Sequence, residues 1–239
     1  MKQDQLGIRA CNPVVGCTMN CPWCRSRQNA LQRGLTRDFS VPEFHERRTR
    51  MFPTNRAAIF DLCSMNDLSD WKTDWMHTVM DAMDANPQHI YLLSTARPGR
   101  LILDARTKEF LERSPNVWVG TTVIVKKDLE RIDALRWNAP ARHYFVNFEP
   151  LLGHTGDFDL TGVDWINIGN LTGKYSKFFP TRRDLILNVV AEGRYYHVPT
   201  TMKESLRPIV GSENFVFSDP FHIQMKTQKT ERKESSCNS

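Results

Sequence analysis

The stretch His89-Ile90-Tyr91-Leu92-Leu93-Ser94-Thr95 is a nearly unbroken apolar run closed by two hydroxyl side chains. It follows Asp70 to Ala85, where Trp71, Trp75, Val79 and Met83 recur at helical spacing before Pro87, and it precedes a second helical stretch from Arg100 to Arg113. A strand that is apolar at consecutive positions has both faces buried, the pattern of a parallel sheet with helices packed on it rather than of a sandwich. Working outward, Ala57 to Cys63, Val117 to Val123, Arg142 to Phe148, Val163 to Ile168 and Tyr195 to Thr201 read as further strands, with Ile8 to Cys11 as a short first one. Lys127 to Trp137 and Thr181 to Glu192 read as helices. This alternation predicts an α/β fold of repeated β/α units. The chain of 239 residues leaves room for about six to seven units rather than the eight of a closed barrel. The expected architecture is a partial (β/α)6-like TIM barrel in a single domain, residues 1–223. From Gln224 onward the sequence is polar and charged and reads as a disordered tail, 224–239.

In such barrels the chemistry gathers at the C-terminal ends of the strands. The polar residues there are Ser64, Asn66 and Asp67, then Thr95 and Arg97, Thr121 and Thr122, Asn147 and Glu149, Asn167 and Asn170, and Thr201 with Lys203. Any one of them is as well explained by a turn or a helix cap; the convergence of six strand ends is what marks a site. His89, His143 and His197 fall at or within strands and read as satisfied structural residues. Trp71 and Trp75 share one helical face and read as core.

The net charge of +5 is mild, and much of the excess lies between Arg25 and Arg56. That region suits phosphates, but it suits a solvated basic face equally well, because no RNP-like aromatic motif or basic recognition helix accompanies it. The first residues lack the apolar stretch of a signal peptide, and no run approaches the roughly 20 apolar residues that span a bilayer. A soluble cytoplasmic protein with no membrane partner is expected. Of six cysteines, four fall between Cys11 and Cys24, too clustered for a disulfide framework and typical of metal binding in a reducing compartment. Cys63 reads as a buried strand residue, and Cys237 lies in the tail.

The segment Cys17-Thr18-Met19-Asn20-Cys21-Pro22-Trp23-Cys24 has the spacing CxxxCxxC. Three thiolates on a four-iron cluster leave one iron open for a cofactor or substrate. A structural zinc site would need a fourth ligand, supplied by Cys11 or a histidine. Zinc knuckles and ribbons usually pair their ligands as CxxC, however, and here only Cys21 and Cys24 have that spacing.

This spacing resembles that of the radical-SAM superfamily. With Asn12-Pro13-Val14-Val15-Gly16 before it, the sequence is similar to a phage- and bacteria-associated family of small radical-SAM proteins of largely unassigned activity, which opens with WNPxxGC. Ser64-Met65-Asn66-Asp67-Leu68 is similar to that family's SMSDLF, and Leu92 to Pro98 to its LLTKRP. Pro115 to Thr122 is similar to PNxWLGxS, Phe148-Glu149-Pro150-Leu151-Leu152 to SxEPLL, and Asp164 to Gly169 to xDWVIVGG. The matches run in order from about Asn12 to Lys203. Departures fall at strand ends: Asn170-Leu171-Thr172-Gly173 replaces a Gly-Glu-Ser stretch, Ala96 a lysine, and Cys11 a tryptophan.

The resemblance implies a radical-SAM type barrel in which Cys17, Cys21 and Cys24 hold a [4Fe–4S] cluster. S-adenosylmethionine chelates the open iron and is reductively cleaved to a 5′-deoxyadenosyl radical. It further implies that Trp23 borders the cofactor, that Ser64, Asn66 and Asp67 hold the methionyl amine, and that Thr95, Thr122 and Asn147 contact ribose or carboxylate. Glu149 is assigned to S-adenosylmethionine or substrate, with an internal salt bridge to Arg97 or Lys203 as the competing role. Lys203 or Tyr196 is the candidate donor to a radical intermediate. A reducing partner such as flavodoxin or ferredoxin is implied. The basic Arg25 to Arg56 region directs the reading to a nucleic-acid base or nucleotide as substrate. The alternatives are a peptide or small-molecule substrate, and a non-enzymatic zinc-stabilised nucleic-acid-binding module.

Overall fold

The computed structural model describes residues 5–222; the tail expected at 224–239 lies outside the described residues. In chain order the elements are β1 (Arg9–Ala10), β2 (Val14–Val15), α1 (Arg25–Gln32), β3 (Glu43–Phe44), β4 (Ile59–Asp61), α2 (Thr73–Asp84), β5 (Ile90–Thr95) and α3 (Ala105–Arg113). They continue with β6 (Val117–Thr122), α4 (Glu130–Asn138), β7 (His143–Phe148), β8 (Trp165–Ile168), α5 (Arg183–Tyr195), β9 (Thr200–Met202) and the single-turn α6 (Arg207–Val210). Seven strands form one sheet in the order β1-β4-β5-β6-β7-β8-β9, every pairing parallel, while β2 and β3 form a separate antiparallel ribbon. No helix among the described residues is long and apolar enough to cross a membrane.

Both sheet faces are covered, as the apolar runs require. Outward positions such as Phe60, Tyr91, Leu93 and Val119 pack under α2 and α3, and Val146, Phe148, Ile166 and Ile168 pack under α5. The helix α2 buries Met76, Val79, Met80 and Met83, one stripe at i, i+3, i+4 and i+7. Full burial of each such side chain contributes about 1.5–3 kcal/mol. Inward positions behave differently. Ile59, Ile90, Leu92, Trp118, Phe145 and Trp165 form an apolar layer toward the N-terminal ends of the strands, closed by Phe221 and joined by Leu6 and Ile8. The sheet therefore curls: Ile8 beside β1 meets residues of the far strands, and Gln5 Nε2 donates to Glu204 Oε2 at 2.6 Å, bringing the start of the first strand to the end of the last. The result is a half-barrel of seven strands in a single α/β domain.

Several sequence boundaries shift for local reasons. The helix expected from Asp70 begins at Thr73 after a 3-10 turn at Leu68–Asp70, and the one expected from Arg100 begins at Ala105, where the Asp104 carboxylate caps the Thr107 N–H. Tyr195, expected to start a strand, ends α5; His197 then takes a left-handed φ of 55° and the strand begins only at Thr200. The helix α1 and the β2–β3 ribbon had no counterpart in the sequence reading. His89 is fully buried and satisfied: its Nδ1 accepts the Ala58 N–H at 3.1 Å, which leaves Nε2–H to donate to the Phe52 carbonyl at 2.6 Å.

Gly120 in β6 faces inward, where a Cβ would lie 2.4 Å from the Phe145 ring. The missing side chain lets that ring lie across the barrel floor. Gly120→Ala is expected to destabilise the fold by about 1–3 kcal/mol through overpacking, read as a lower melting temperature, and Gly120→Ala with Phe145→Leu is expected to recover part of it. An unchanged melting temperature in the single variant would contradict the close approach.

Candidate functional site

The cysteine loop starts at a position only glycine tolerates. Gly16 has φ +115°, and a Cβ there would meet the Val41 carbonyl oxygen at 2.7 Å. The Gly16 N–H donates to the Met65 carbonyl at 3.0 Å and the Cys17 N–H to the Phe39 carbonyl at 2.7 Å, so the loop departs from a fixed point beside the end of β4. Asp70 then grips it: its carboxylate accepts from the Thr18 N–H at 3.0 Å and from the Thr18 hydroxyl at 2.7 Å. Arg97, at the end of β5, donates to the same hydroxyl at 2.7 Å and pairs with Asp70 at 2.8 Å. At the other end of the loop, Cys24 caps α1, its sulfur accepting the Arg27 N–H at 3.3 Å, while the Ser26 hydroxyl donates to the Ser64 carbonyl at 2.6 Å.

All three thiols are free and half-buried. The Cys17 sulfur accepts the Met19 N–H at 3.4 Å. Burial pushes the Cys17 thiol up to about 12, and burial followed by the neighbouring Cys24 raises Cys21.

Cys21, Trp23 and Cys24 form one wall of a cleft of about 430 Å³. The facing walls come from the strand ends: Asp61 of β4 with Cys63 and Ser64 after it, Ser94, Thr122, Asn147 with Glu149, and Lys203. A smaller chamber of about 120 Å³ lies beneath, sharing Asp61, Ser94, Asn147, Glu149 and Lys203 and floored by Leu92, Phe145 and Trp165. The period-2 alternation of strands generates this stack. In β7, for instance, Phe145, Asn147 and Glu149 point inward in succession, from apolar floor to polar layer to rim.

At the rim, Lys203 Nζ donates to Glu149 Oε1 at 2.6 Å, and Asn167 Nδ2 donates to Asn147 Oδ1 at 3.2 Å. Gly169 makes room for the carboxylate, since a Cβ there would lie 2.6 Å from Glu149 Cδ. Lys203 and Glu149 are partly exposed, with side chains 39% and 28% accessible, and pairs of that kind contribute about 0–1 kcal/mol. Exchanging the contact for a ligand is therefore cheap. The Asp70–Arg97 pair is a different case, with side chains only 9% and 14% accessible.

The fold brings together Trp23, Cys21, Cys24, Ser64, Thr122, Asn147, Glu149 and Lys203, with Cys17 on the same loop. It does not bring Asn66, Asp67, Thr95 or Tyr196 to the cleft. Asn66 donates to the Val14 and Leu62 carbonyls and accepts from the Trp71 indole. Asp67 is buried and accepts from Ser69 N–H, Thr95 hydroxyl and Ala96 N–H, and this same bond occupies Thr95. Together these three tie the ends of β2, β4 and β5 into a frame under the loop. Tyr196 caps the C-terminus of α5, beside Tyr195 and Asp159, because that helix runs past Glu192. Sequence reasoning passed over Asp61 and Ser94; the one carboxylate inside the apolar AAIFDLC run was the available signal. Cys63, read as a buried strand residue, is buried and also lines the cleft.

Among the described residues, no three His, Cys, Asp or Glu side chains gather tightly enough to hold a single metal ion. Cys11 is buried in the core, its thiol donating to the Arg48 carbonyl at 3.3 Å, and neither it nor any histidine lines the cleft. The three free thiols, one loop and an adjoining polar cleft fit a cluster that takes one thiolate per iron and leaves an iron facing the cleft. Asp70→Ala, which leaves Arg97 and the Thr18 N–H unmatched in a shielded place, is expected to cost about 3–5 kcal/mol. It is also expected to lower the iron retained after reconstitution more than the shape-preserving Asp70→Asn does. Iron content and melting temperature check this; equal iron retention in both variants and the wild type would remove the clamp from metal binding.

No curated protein matches the chain. Among solved structures, a spore photoproduct lyase mutant with bound AdoMet and dinucleoside spore photoproduct is similar with a TM-score of 0.47 and 11% identity. That match covers 71% of this chain and 58% of the other, so the chain spans less than two thirds of that protein's length. Over residues 8–204 the sequence matches a family defined by shared sequence alone. The chain belongs to that family, described as protein of unknown function (DUF5131).

Proposed function

We infer that this protein is a radical-SAM enzyme acting on a nucleic-acid base or nucleotide. The observation that carries the reading is the seating of three free cysteines, spaced CxxxCxxC, against a polar cleft at the C-terminal ends of parallel strands. Cys17, Cys21 and Cys24 would hold a [4Fe–4S] cluster, and the cleft walls would hold S-adenosylmethionine. The chemistry supplied there by the bound pair is one-electron cleavage of S-adenosylmethionine, giving methionine and a 5′-deoxyadenosyl radical.

The chain's own part is binding, orientation and shielding. Ser64, its hydroxyl held by Asn12, lines the wall on the amine side with the Asp61 carboxylate, while Thr122 and Asn147 offer hydroxyl and amide groups suited to ribose or carboxylate. Trp23 gives an apolar flank. The Glu149 carboxylate and the Lys203 side chain, paired across the cleft, offer an acceptor and a donor to an incoming polar ligand. The apolar floor of Leu92, Phe145 and Trp165 limits water beneath the reacting groups. Electrons would come from a flavodoxin- or ferredoxin-like donor. The arginines between Arg25 and Arg56 support a phosphate-bearing substrate.

Anaerobic reconstitution is expected to load about four irons per chain, and reduction in the presence of S-adenosylmethionine is expected to release 5′-deoxyadenosine. A variant with Cys17, Cys21 and Cys24 all changed to Ala is expected to do neither. A wild-type protein that takes up zinc and no iron would overturn the reading.

A further inference from the structure

Two segments face each other across the cleft mouth: the cysteine loop with α1, and the lip that follows β8. Arg25 donates to the Thr172 hydroxyl at 3.1 Å, and the Trp23 and Phe179 rings meet edge to face with centroids 6.2 Å apart. Trp23, Arg25 and Thr172 line the cleft itself. The charge on both sides has one sign. Residues 17–37 carry Arg25, Arg27, Arg33 and Arg37 and no Asp or Glu; residues 170–183 carry Lys174, Lys177, Arg182 and Arg183, of which Arg182 pairs with Asp184 and Arg183 with Glu213. Lys174 and Lys177 are exposed and make no ion pair with a described residue. Next to these cations in the chain stand two large apolar rings, Phe178 at 74% exposure and Phe179 at 46%.

A folded chain gains nothing by leaving two adjacent phenylalanines in water, and a solvated basic face needs no aromatic rings. Exposed rings set beside exposed lysines are the combination that holds single-stranded nucleic acid, with bases stacking on the rings and phosphates meeting the cations. An acidic peptide would satisfy the charge and leave the flat ring faces unused. A duplex would hide the base faces that the rings can stack on, and an enzyme that works on a base must receive it unstacked.

We propose that the lip formed by Lys174, Lys177, Phe178 and Phe179, with Arg25 opposite, is a docking surface for single-stranded DNA or RNA that leads one base past Trp23 into the cleft. The proposal rests on the reading of the cleft as a site for a nucleic-acid base, and it makes the substrate a polymer rather than a free nucleotide.

The test is fluorescence anisotropy of the reconstituted full chain with labelled oligo-dT and oligo-rU of about 12 nucleotides, and with a duplex of the same length. The single strands are expected to bind in preference to the duplex and to weaken as salt rises; the dT and rU arms separate DNA from RNA. Phe178→Ala with Phe179→Ala is expected to weaken binding about tenfold or more. Lys174→Gln with Lys177→Gln is expected to flatten the log–log salt slope by about 1.4, two cations at about 0.7 each. Trp137→Ala, an exposed aromatic on α4, is expected to change nothing. Absent binding, preference for the duplex, or binding unmoved by both double variants would overturn the docking surface. The assay reads no turnover, so the two readings fail separately. A protein that releases 5′-deoxyadenosine but binds no strand keeps the cofactor reading and loses this one. A protein that binds strands through the lip but loads no iron does the reverse.

Discussion

Parallel strands cannot be joined by tight turns, and that constraint organises the molecule. Each strand must be followed by a crossover before the next one starts, so the C-terminal ends of β4 to β9 all open on the same side. Inward and outward side chains alternate along every strand, so the concave face carries its own sequence of layers independent of the helix-packed face. Leu92, Phe145 and Trp165 seal the lower layer, while Asp61, Ser94 and Asn147 sit one step higher, where the curl has opened enough to admit ligand. The cysteine loop reaches this side because β1 lies at the sheet edge next to β4, whose end it shares.

Charge is sorted along the same axis. The Asp61 carboxylate and the Glu149–Lys203 pair line the cleft, whereas the lip is basic. The Glu149–Lys203 pair is partly exposed, and the pair that fastens the cysteine loop is shielded and costly to break. One barrel end thus holds two kinds of ionic contact, separated by accessibility: the partly exposed Glu149–Lys203 pair in the cleft and the shielded Asp70–Arg97 pair that fastens the loop.

Much of this was legible in the residues. Consecutive apolar positions exposed the buried strands, and the polar residues at or just past the end of each run located the site: Thr122, Asn147, Glu149 and Lys203 all reach the cleft. Period 2 also explains what was misplaced. Thr95 is one residue beyond the inward Ser94 and so faces the helices, where it meets Asp67. The boundaries that moved are those set by capping rather than by hydrophobic pattern, as at Asp104 and Tyr195. The helix α1 escaped notice because its sequence RSRQNALQ buries only Ala30; tertiary contacts and the Cys24 cap hold it, and no apolar stripe announces it.

Phe221 gives the fold a further property. Its ring is fully buried, edge-on to Trp118 at 5.1 Å and to Trp165 at 5.2 Å, and it stoppers the half-barrel at the end away from the cysteines. Sealed at that end, the chamber of about 120 Å³ communicates with the larger cleft above it, with which it shares Asp61, Ser94, Asn147, Glu149 and Lys203.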